Sequence, residues 1–476
     1  MDDTSSASAL DWLTQWWDDD VAMLWNPAGS YGGLFPERTF HMVPPTVWYA
    51  LALLHRQASD DVECAVKAID AVIACQLDEP GAPWHGTYAR FCEFPAPAPG
   101  SVEYLGYDPN WRQFVGTGFC LALLTAGDIL PRRTVDAMVE SISLAVDAEP
   151  PERVSPAYSN IALMQAWLDG FAGDILDRPD VVSRGAHLAA QIVDRFDTHG
   201  TFDEWNSPTY YGIDLYALSL WRQHSPSPRL RHWGERLEAE LWSDVAPWYH
   251  ADLGNVAGPY TRAYGMDMRR YVAALGPVDR TSGGPAPVPD LAGPFSHSHD
   301  LAIAPVAAIL GTEVPPEARR HLTSFTGERT LERHISDDPE RIASAWLAPT
   351  VMIGAERGAR RWKGWGQYHP ATIHWQDPSG RTRWIRLVHS GRVDASATAH
   401  TLTAECRPRS KPGAQPAFLV SACDDVQADR WSLPGLTVDV KTNATFVGRA
   451  PSGDIDEIRY DLPPTGSVVF ELTLSS

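Results

Sequence analysis

The chain has 476 residues, enough for two to three domains, and its hydrophobic fraction of 44% is ordinary for a soluble globular protein. Its formal net charge of -21 argues against DNA or RNA as a partner, because phosphate binding needs a basic footprint. No stretch approaches the length needed to span a bilayer, so no membrane partner is expected. The six cysteines (Cys64, Cys75, Cys92, Cys120, Cys406, Cys423) are scattered and never form CxxC, which reads as buried thiols in a reducing compartment. The 19 Trp and 15 Tyr suit a cleft lined by flat rings, although large cores use the same residues.

In chain order, the opening stretch MDDTSSASALDWLTQWWDDD has neither a basic start nor an apolar run, so it is not read as a signal peptide and a cytoplasmic protein is expected. Residues from about 40 to 310 read as helix after helix. One set of helices is apolar nearly all round and begins near Thr46, Trp111, Asn160, Gly212 and Asp267. A second set, amphipathic and charged on one face, alternates with it. The recurrence at roughly 50 to 65 residues signals stacked helical hairpins. Hairpins with alternating inner and outer members close most naturally into an (α/α) toroid, expected over 1–280. A Gly/Pro linker, TSGGPAPVPDLAGP, and extra helices follow over 281–344. From 345 to 476 the pattern turns to alternating, β-branched runs with turn punctuation, which fit an antiparallel β-sandwich. The fold class expected is α+β multidomain: a toroid of helical hairpins, then a sandwich.

In a toroid of hairpins, every loop entering an inner helix opens on the same end. Five such loops carry polar and aromatic residues. PERTFHMVPP holds Arg38 and His41; YLGYDPNWRQF holds Tyr107, Asp108, Asn110, Trp111 and Arg112; SPAYSN holds Tyr158 and Asn160. TFDEWNSPTYYG packs Glu204, Asn206, Ser207, Pro208, Tyr210 and Tyr211 into one turn, and GPYTRAYGMDMRRY holds Tyr260, Arg262, Tyr264, Asp267 and Arg269. The cluster HSHD (His297, His299, Asp300) precedes one more helix and fits the same rim. Loops leaving the inner helices read as ordinary turns. Convergent acids, amides, phenols and guanidiniums at one end form the pattern of a pocket. Helix capping explains Asn160 and Asp267 well, but not two Tyr-rich loops with Arg between the phenols.

With these residues in view, the chain resembles the toroid-plus-sandwich polysaccharide lyases, the heparinase II/III-like and alginate-lyase-like enzymes. Glu204, Ser207, Pro208 and Tyr210 are similar to the Glu-x-Ser-Pro-Tyr-Tyr type of loop in some of them, with a small length difference. Asn160 looks like the amide that family sets beside a uronate carboxylate, and WGQYHPATIHW looks like the first strands of such a sandwich. Two departures stand out: Gly212 follows the second tyrosine where a His is often seen, and no signal peptide is read. The resemblance implies β-elimination on a uronic-acid-containing glycan or oligosaccharide.

That chemistry removes the proton α to a uronate carboxylate, whose charge must first be neutralised by Asn160, Asn206 or Arg262. A phenol has a reference pKa near 10 and needs cationic neighbours to act as a base; Arg262, Arg269 and Arg112 are the available donors. Tyr210 or Tyr211 is the expected base and acid, with Tyr264 in reserve and His297 or His299 as other bases. Asn160, Glu204 and Arg262 join the catalytic group. Asn206, Trp111, Arg112, Asp108, Tyr158, Tyr260, Asp267, Arg269, His41, His297 and His299 are expected to bind substrate. The main alternative is a glycoside hydrolase drawing a carboxylate pair from Glu204, Asp203, Asp108 and Asp267. An isoprenoid cyclase ranks lower, because Asp18-Asp19-Asp20 lacks a later acid and Asp337-Asp338 is followed by Arg341. A glycan-binding protein without activity is the third. No cofactor or metal is expected: HSHD lacks a clear fourth ligand, and His369 and His374 on a strand read as structural. Asn443 is a formal glycosylation match.

Overall fold

The computed structural model describes residues 4–358, 366–388, 391–407, 416–463 and 466–475. Met1 to Asp3 of the opening stretch, and Trp365, His389, Ser390 and Ser476 of the strand stretches, lie outside them. Helix α1 (Thr4–Thr14) is followed by a three-stranded sheet of β1 (Trp17–Asp18), β2 (Met23–Trp25) and β3 (His41–Met42). Four helical hairpins come next. They pair α2 (Val43–Arg56) with α3 (Asp61–Ile73), α4 (Trp111–Ala126) with α5 (Arg132–Asp147), α6 (Ser159–Ile175) with α7 (Pro179–His199), and α8 (Pro208–His224) with α9 (Pro228–Val245). After the short strands β4 (Tyr249–His250) and β5 (Asn255–Val256) come α10 (Leu275–Thr281), α11 (Ile303–Leu310) and α12 (Pro316–Thr323).

The first member of each hairpin is the inner one. Helix α2 packs on α4, α4 on α6, α6 on α8, α8 on α10, α10 on α11, and α11 returns to α2, so the ring closes. Burial follows this division. Every residue from Val43 to Leu54 of α2 is buried, whereas α7 buries Val181, Gly185, Leu188, Ala189, Ile192, Val193 and Phe196 at helical spacing and leaves its other face to water. The expected (α/α) toroid is therefore the observed architecture. The fifth inner helix does not start at Asp267: residues 257–272 run without helix, and α10 begins only at Leu275.

The sandwich has two antiparallel sheets. The larger is ordered β17-β18-β13-β10-β9-β8-β7-β6, and the smaller β11-β12-β19-β16-β15-β14. In chain order these are β6 (Arg329–Asp337), β7 (Glu340–Ala348), β8 (Val351–Arg357), β9 (Ala371–Gln376), β10 (Thr382–Val388), β11 (Arg392–Thr398), β12 (Thr401–Arg407), β13 (Ala417–Val420), β14 (Asp425–Val426), β15 (Arg430–Leu433), β16 (Leu436–Thr442), β17 (Thr445–Ser452), β18 (Ile455–Asp461) and β19 (Val468–Ser475). Trp375, Phe418, Trp431, Tyr460 and Phe470 fill the space between the sheets. The first strand starts at Arg329, ahead of residue 345, so the end of the stretch read as linker and helices belongs to the larger sheet. Strands β6 and β7 are rich in charge (RTLERHISD, then ERIASAWLA), which hid their alternation.

The two halves are joined where the site lies. The segment 257–263 pairs with the chain ahead of β9: Tyr260 and His369 exchange both backbone hydrogen bonds at 2.9 Å, and Ala263 N donates to Gln367 O at 2.9 Å. The helix expected from Asp267 is replaced by other pairing: Met268 N donates to Asn255 Oδ1 (2.9 Å), Val272 N to Ser296 O (3.1 Å) and Ser296 N to Arg270 O (3.0 Å), so these backbone groups are satisfied without a helix. Gly258 lies directly on Gly354 of β8; a β-carbon built on Gly354 would fall 1.8 Å from Gly258 O. His369 and His374 donate from Nε2 to Ala263 O (3.1 Å) and Met266 O (2.8 Å), so both serve as structural ties.

Arg341 of β7 is the ionic tie. Its side chain is buried, donates to both oxygens of Glu356 (2.8 and 3.2 Å), and reaches Asp203 O at 2.9 Å and Thr261 Oγ1 at 3.0 Å. Breaking such a pair leaves an uncompensated buried charge. Arg341→Ala is expected to cost about 3–5 kcal/mol in denaturant unfolding, with most of the loss recovered when Arg341 and Glu356 are jointly replaced by apolar residues of matching volume.

Candidate active site

A cavity of about 640 Å³ opens at the end of the ring where the inner helices begin. All the loops expected to converge contribute to its wall or to the layer beneath, and Gln367 and Tyr368 from the sandwich side complete the lining. Local sequence aims the key side chains. Asn206 sits at φ 52, Ser207 Oγ caps α8 by accepting from Tyr210 N (3.3 Å), and Pro208 supplies a first-turn residue with no amide to satisfy. This sharp entry turns Tyr210 toward the cavity.

Around Tyr210 lies a connected set of groups. The Arg262 guanidinium donates from Nη2 to Tyr210 Oη (2.9 Å), from Nη1 to Glu204 Oε1 (2.9 Å), and from Nε to Gln367 Oε1 (2.9 Å). Its Cζ stands 3.8 Å from the Tyr210 ring centroid and 5.5 Å from that of Tyr158. Tyr264 Oη lies 2.5 Å from Tyr210 Oη. Glu204 Oε2 accepts from Asn160 Nδ2 (2.6 Å), Ser159 Oγ (3.2 Å) and Asn160 N (3.3 Å). The Asn160 amide thus keeps one Nδ2 hydrogen to spare, and its buried Oδ1 meets no hydrogen-bond partner among the described residues.

A second wall comes from the HSHD loop. The His297 ring stacks on Tyr264 at 3.8 Å and 1°, and His299 stacks on Tyr31 at 3.8 Å and 23°. Asp300 carboxylate oxygens lie 3.8 Å from His297 Nδ1 and 3.4 Å from His299 Nε2. These three side chains are close enough together for a cation. The Tyr31 amide, however, donates to His299 Nδ1 (3.3 Å), which puts the ring proton on Nε2, the atom a metal would need unprotonated. The donor set does not fit a metal.

Burial dominates the acid–base character. It raises the Tyr210 phenol well above the usual value, opposed by Arg262, and pushes Tyr264 up to about 12 against the same cation. Burial lowers His297 to about 4 and drives His299 well below its usual value, so both imidazoles are neutral at neutral pH. It also lifts Asp300 to about 8 and raises Asp108. Beneath the site, Asp214 of α8 is fully buried and raised well above the carboxylate range by burial and the neighbouring Glu204.

Of the residues expected from sequence, Tyr210, Asn160, Tyr264, Arg262, Trp111, Asp108, Asn110, Tyr158, His297 and His299 line the cavity, and Glu204 supports it from below. The others do not line it. Tyr211 is buried in the core with its hydroxyl accepting from Asn206 N. Asn206 spends both amide hydrogens on Ala257 O and Pro259 O (2.7 Å each), so it ties loops together and cannot neutralise a substrate. Arg112 is 1% exposed and donates to the carbonyls of Pro83, His85 and Pro109. Tyr260 donates to Val256 O (2.5 Å) within the core, and Asp267 accepts from Arg269 N (2.9 Å) as a turn former. Arg269 is exposed and bonded to Leu253 O and Thr382. His41 is held between Glu93 (2.5 Å) and Asp18 (3.2 Å) and stacks on Trp25, away from the lining. Arg38 stands over Trp16 at 5.1 Å.

Sequence reasoning missed Tyr31, Arg90, Tyr104, Gln367 and Tyr368 of the lining. Tyr104 belongs to the same YLGYDPNW loop and was within reach of that reading; the other four stand in segments with no helical-entry pattern.

The fold and the site define an α/α-toroid and β-sandwich protein built around a tyrosine–arginine–glutamate centre. The chain belongs to the family described as Domain of unknown function (DUF8769), whose model matches residues 5–312; a second, Domain of unknown function (DUF8770), matches residues 327–450. Among solved structures, the chain is similar to the Streptomyces coelicolor A3 chondroitin AC lyase in complex with chondroitin sulphate. That likeness has 10% identity and a TM-score of 0.47, and covers 100% of this chain and 79% of that one. It is also similar to heparinase III, at 8% identity and TM-score 0.42, over 99% of this chain and 84% of that one. An endoglucanase CelQ from Clostridium thermocellum gives 8% identity and TM-score 0.26, over 91% and 83%. No curated protein matches the sequence.

The raised Asp300 carboxyl has a signed consequence. Between the ordinary value near 3.8 and about 8, the folded chain holds a proton there that the unfolded chain has released, so this group's contribution falls as pH rises through that window. Asp300→Asn removes the effect. Its stability relative to the native chain is expected to increase between pH 5 and pH 8, as read by urea unfolding at both pH values.

Proposed function

We propose that the cavity binds a uronic-acid-containing glycan or oligosaccharide and cleaves it by β-elimination. The observation that carries this reading is one guanidinium shared between a buried carboxylate and a phenol: Arg262 to Glu204 and to Tyr210, each at 2.9 Å, with a second phenol 2.5 Å from the first. Glu204 holds Arg262 in place, and Arg262 favours the ionised form of Tyr210. In the reaction, Tyr210 Oη takes the C5 proton of the uronate. The released electron pair forms the C4–C5 double bond, the C4–O bond breaks, and the same proton passes from Tyr210 to the departing oxygen. Tyr264 shares its hydrogen bond with Tyr210 throughout. The spare Nδ2 hydrogen of Asn160 is the donor for the substrate carboxylate, where charge builds up as the proton leaves. Trp111 and Tyr158 offer flat faces for sugar rings.

A hydrolase needs two carboxyl groups facing the sugar. Of those named from the sequence, Glu204 is taken up by Arg262 and Asn160, Asp203 pairs with Arg195 (2.5 Å), and Asp267 closes a turn. Asp108 does line the cavity together with Asp300, and this pair keeps hydrolysis as the second reading. No observation favours a cyclase: Asp18 is engaged by His41 outside the lining.

Elimination leaves a conjugated double bond that absorbs in the near ultraviolet, and hydrolysis does not. Incubation with uronide oligosaccharides is expected to give such a product, and Tyr210→Phe to reduce its rate by at least about a thousandfold, as loss of the proton-transfer group requires. Hydrolysis by Asp108 and Asp300 would survive that substitution and show no absorbance. Because burial holds the phenol protonated, the active ionised fraction grows with pH. The rate kcat/KM should rise roughly tenfold per pH unit through neutrality, and a profile falling between pH 7 and 9 would exclude Tyr210 as the base.

A further inference from the structure

Two arginines line the cavity, and they differ in what they meet. Arg262 is committed to Glu204, Tyr210 and Gln367. The Arg90 side chain makes no ion pair or hydrogen bond with any of the described residues; its guanidinium stands over the Tyr31 ring at 5.6 Å. Asp108, which lines the same cavity, lies beyond ion-pair distance of Arg90 and accepts instead from the Asn110 amide (3.0 Å). Tyr31 adds a second unmet donor, since its buried hydroxyl finds no partner among the described residues. Three buried or half-buried arginines of the same half each meet an acid: Arg153 has Glu149, Arg184 has Asp169, and Arg222 has Glu238. In a chain of net charge -21, the half-buried Arg90 guanidinium thus has no ion-pair partner among the described residues and stands beside an unmet hydroxyl. Both groups are donors, and a guanidinium fork matches a planar or tetrahedral oxyanion.

We infer that Arg90 and Tyr31 form a second anion subsite, which takes a sulfate or carboxylate on a sugar next to the one that reacts. The inference rests on the glycan reading above and sharpens it: the substrate carries a negative charge besides the uronate held at Asn160. A sulfate and a second uronate share this chemistry. A neutral neighbouring sugar would leave the guanidinium and the hydroxyl unanswered, which is costly in a partly dehydrated cavity.

The test is a binding measurement without turnover. Calorimetry on Tyr210→Phe, alone and combined with Arg90→Ala or Arg90→Lys, would use three tetrasaccharides: alternating uronate and neutral hexosamine, the same with one O-sulfate per disaccharide, and an all-uronate chain. One of the two more highly charged ligands should bind the Tyr210→Phe chain at least about tenfold more tightly than the first, as expected of a charge-assisted bidentate contact. Which one does so identifies the anion. Arg90→Ala should bring that ratio to near one, and Arg90→Lys should restore it in part, a point charge replacing a fork. Equal affinities for all three ligands, no detectable binding of any, or a preference that survives Arg90→Ala overturns the subsite. Failure of elimination is read separately, from the absence of a near-ultraviolet product with the native chain.

Discussion

The structure of the site depends on how Arg262 spends its charge. The side chain is largely enclosed, and an enclosed guanidinium must be answered from several sides. The answers come from three parts of the chain: Glu204 ahead of α8, Tyr210 within its first turn, and Gln367 from the sandwich half. Glu204 in turn reaches back to Asn160 at the start of α6. One cation therefore links two inner-helix entries and one sandwich segment, and it brings its field to the Tyr210 oxygen. Its stacking over the Tyr210 and Tyr158 rings adds cation–π attraction in the same place.

The ring of helices supplies what such a cation needs, a scaffold whose ends do not drift. Inner helices buried on all sides carry no solvent-facing alternative, and each touches the next around a closed circuit. Their first turns are then fixed relative to one another, and side chains from α4, α6 and α8 meet over one cavity. The HSHD loop closes the far wall through two stacked ring pairs, which hold the imidazoles by their faces and leave their edges toward Asp300.

Much of this was legible in the sequence, for identifiable reasons. Helix α8 is apolar nearly all round, and such a helix has only the interior to occupy. Its start, read near Gly212, lies a turn earlier at Pro208, where Ser207 caps the helix. The choice between Tyr210 and Tyr211 was not legible. Neighbours on a helix point about 100° apart, so one phenol faces the cavity and the other the core, and composition is blind to that rotation. Asn160 and Asn206 looked equivalent as amides, yet the second is consumed by two carbonyls that come near only after folding. Arg90 and Tyr31 lay in segments without periodicity, and Gln367 comes from the other half of the chain. The segment near Asp267 was misread because its backbone partners, Asn255 and Ser296, come beside it only through folding, which no helical pattern in a local window shows.

The crossing of Gly258 over Gly354 brings two main chains closer than any side chain would permit. Only a few residues separate that crossing from Arg262 in one segment, and the other, β8, pairs with β9, which follows Gln367 in the chain. Gly354 cannot gain a side chain without moving the Gly258 main chain, so a substitution at Gly354 must displace the segment that leads to Arg262.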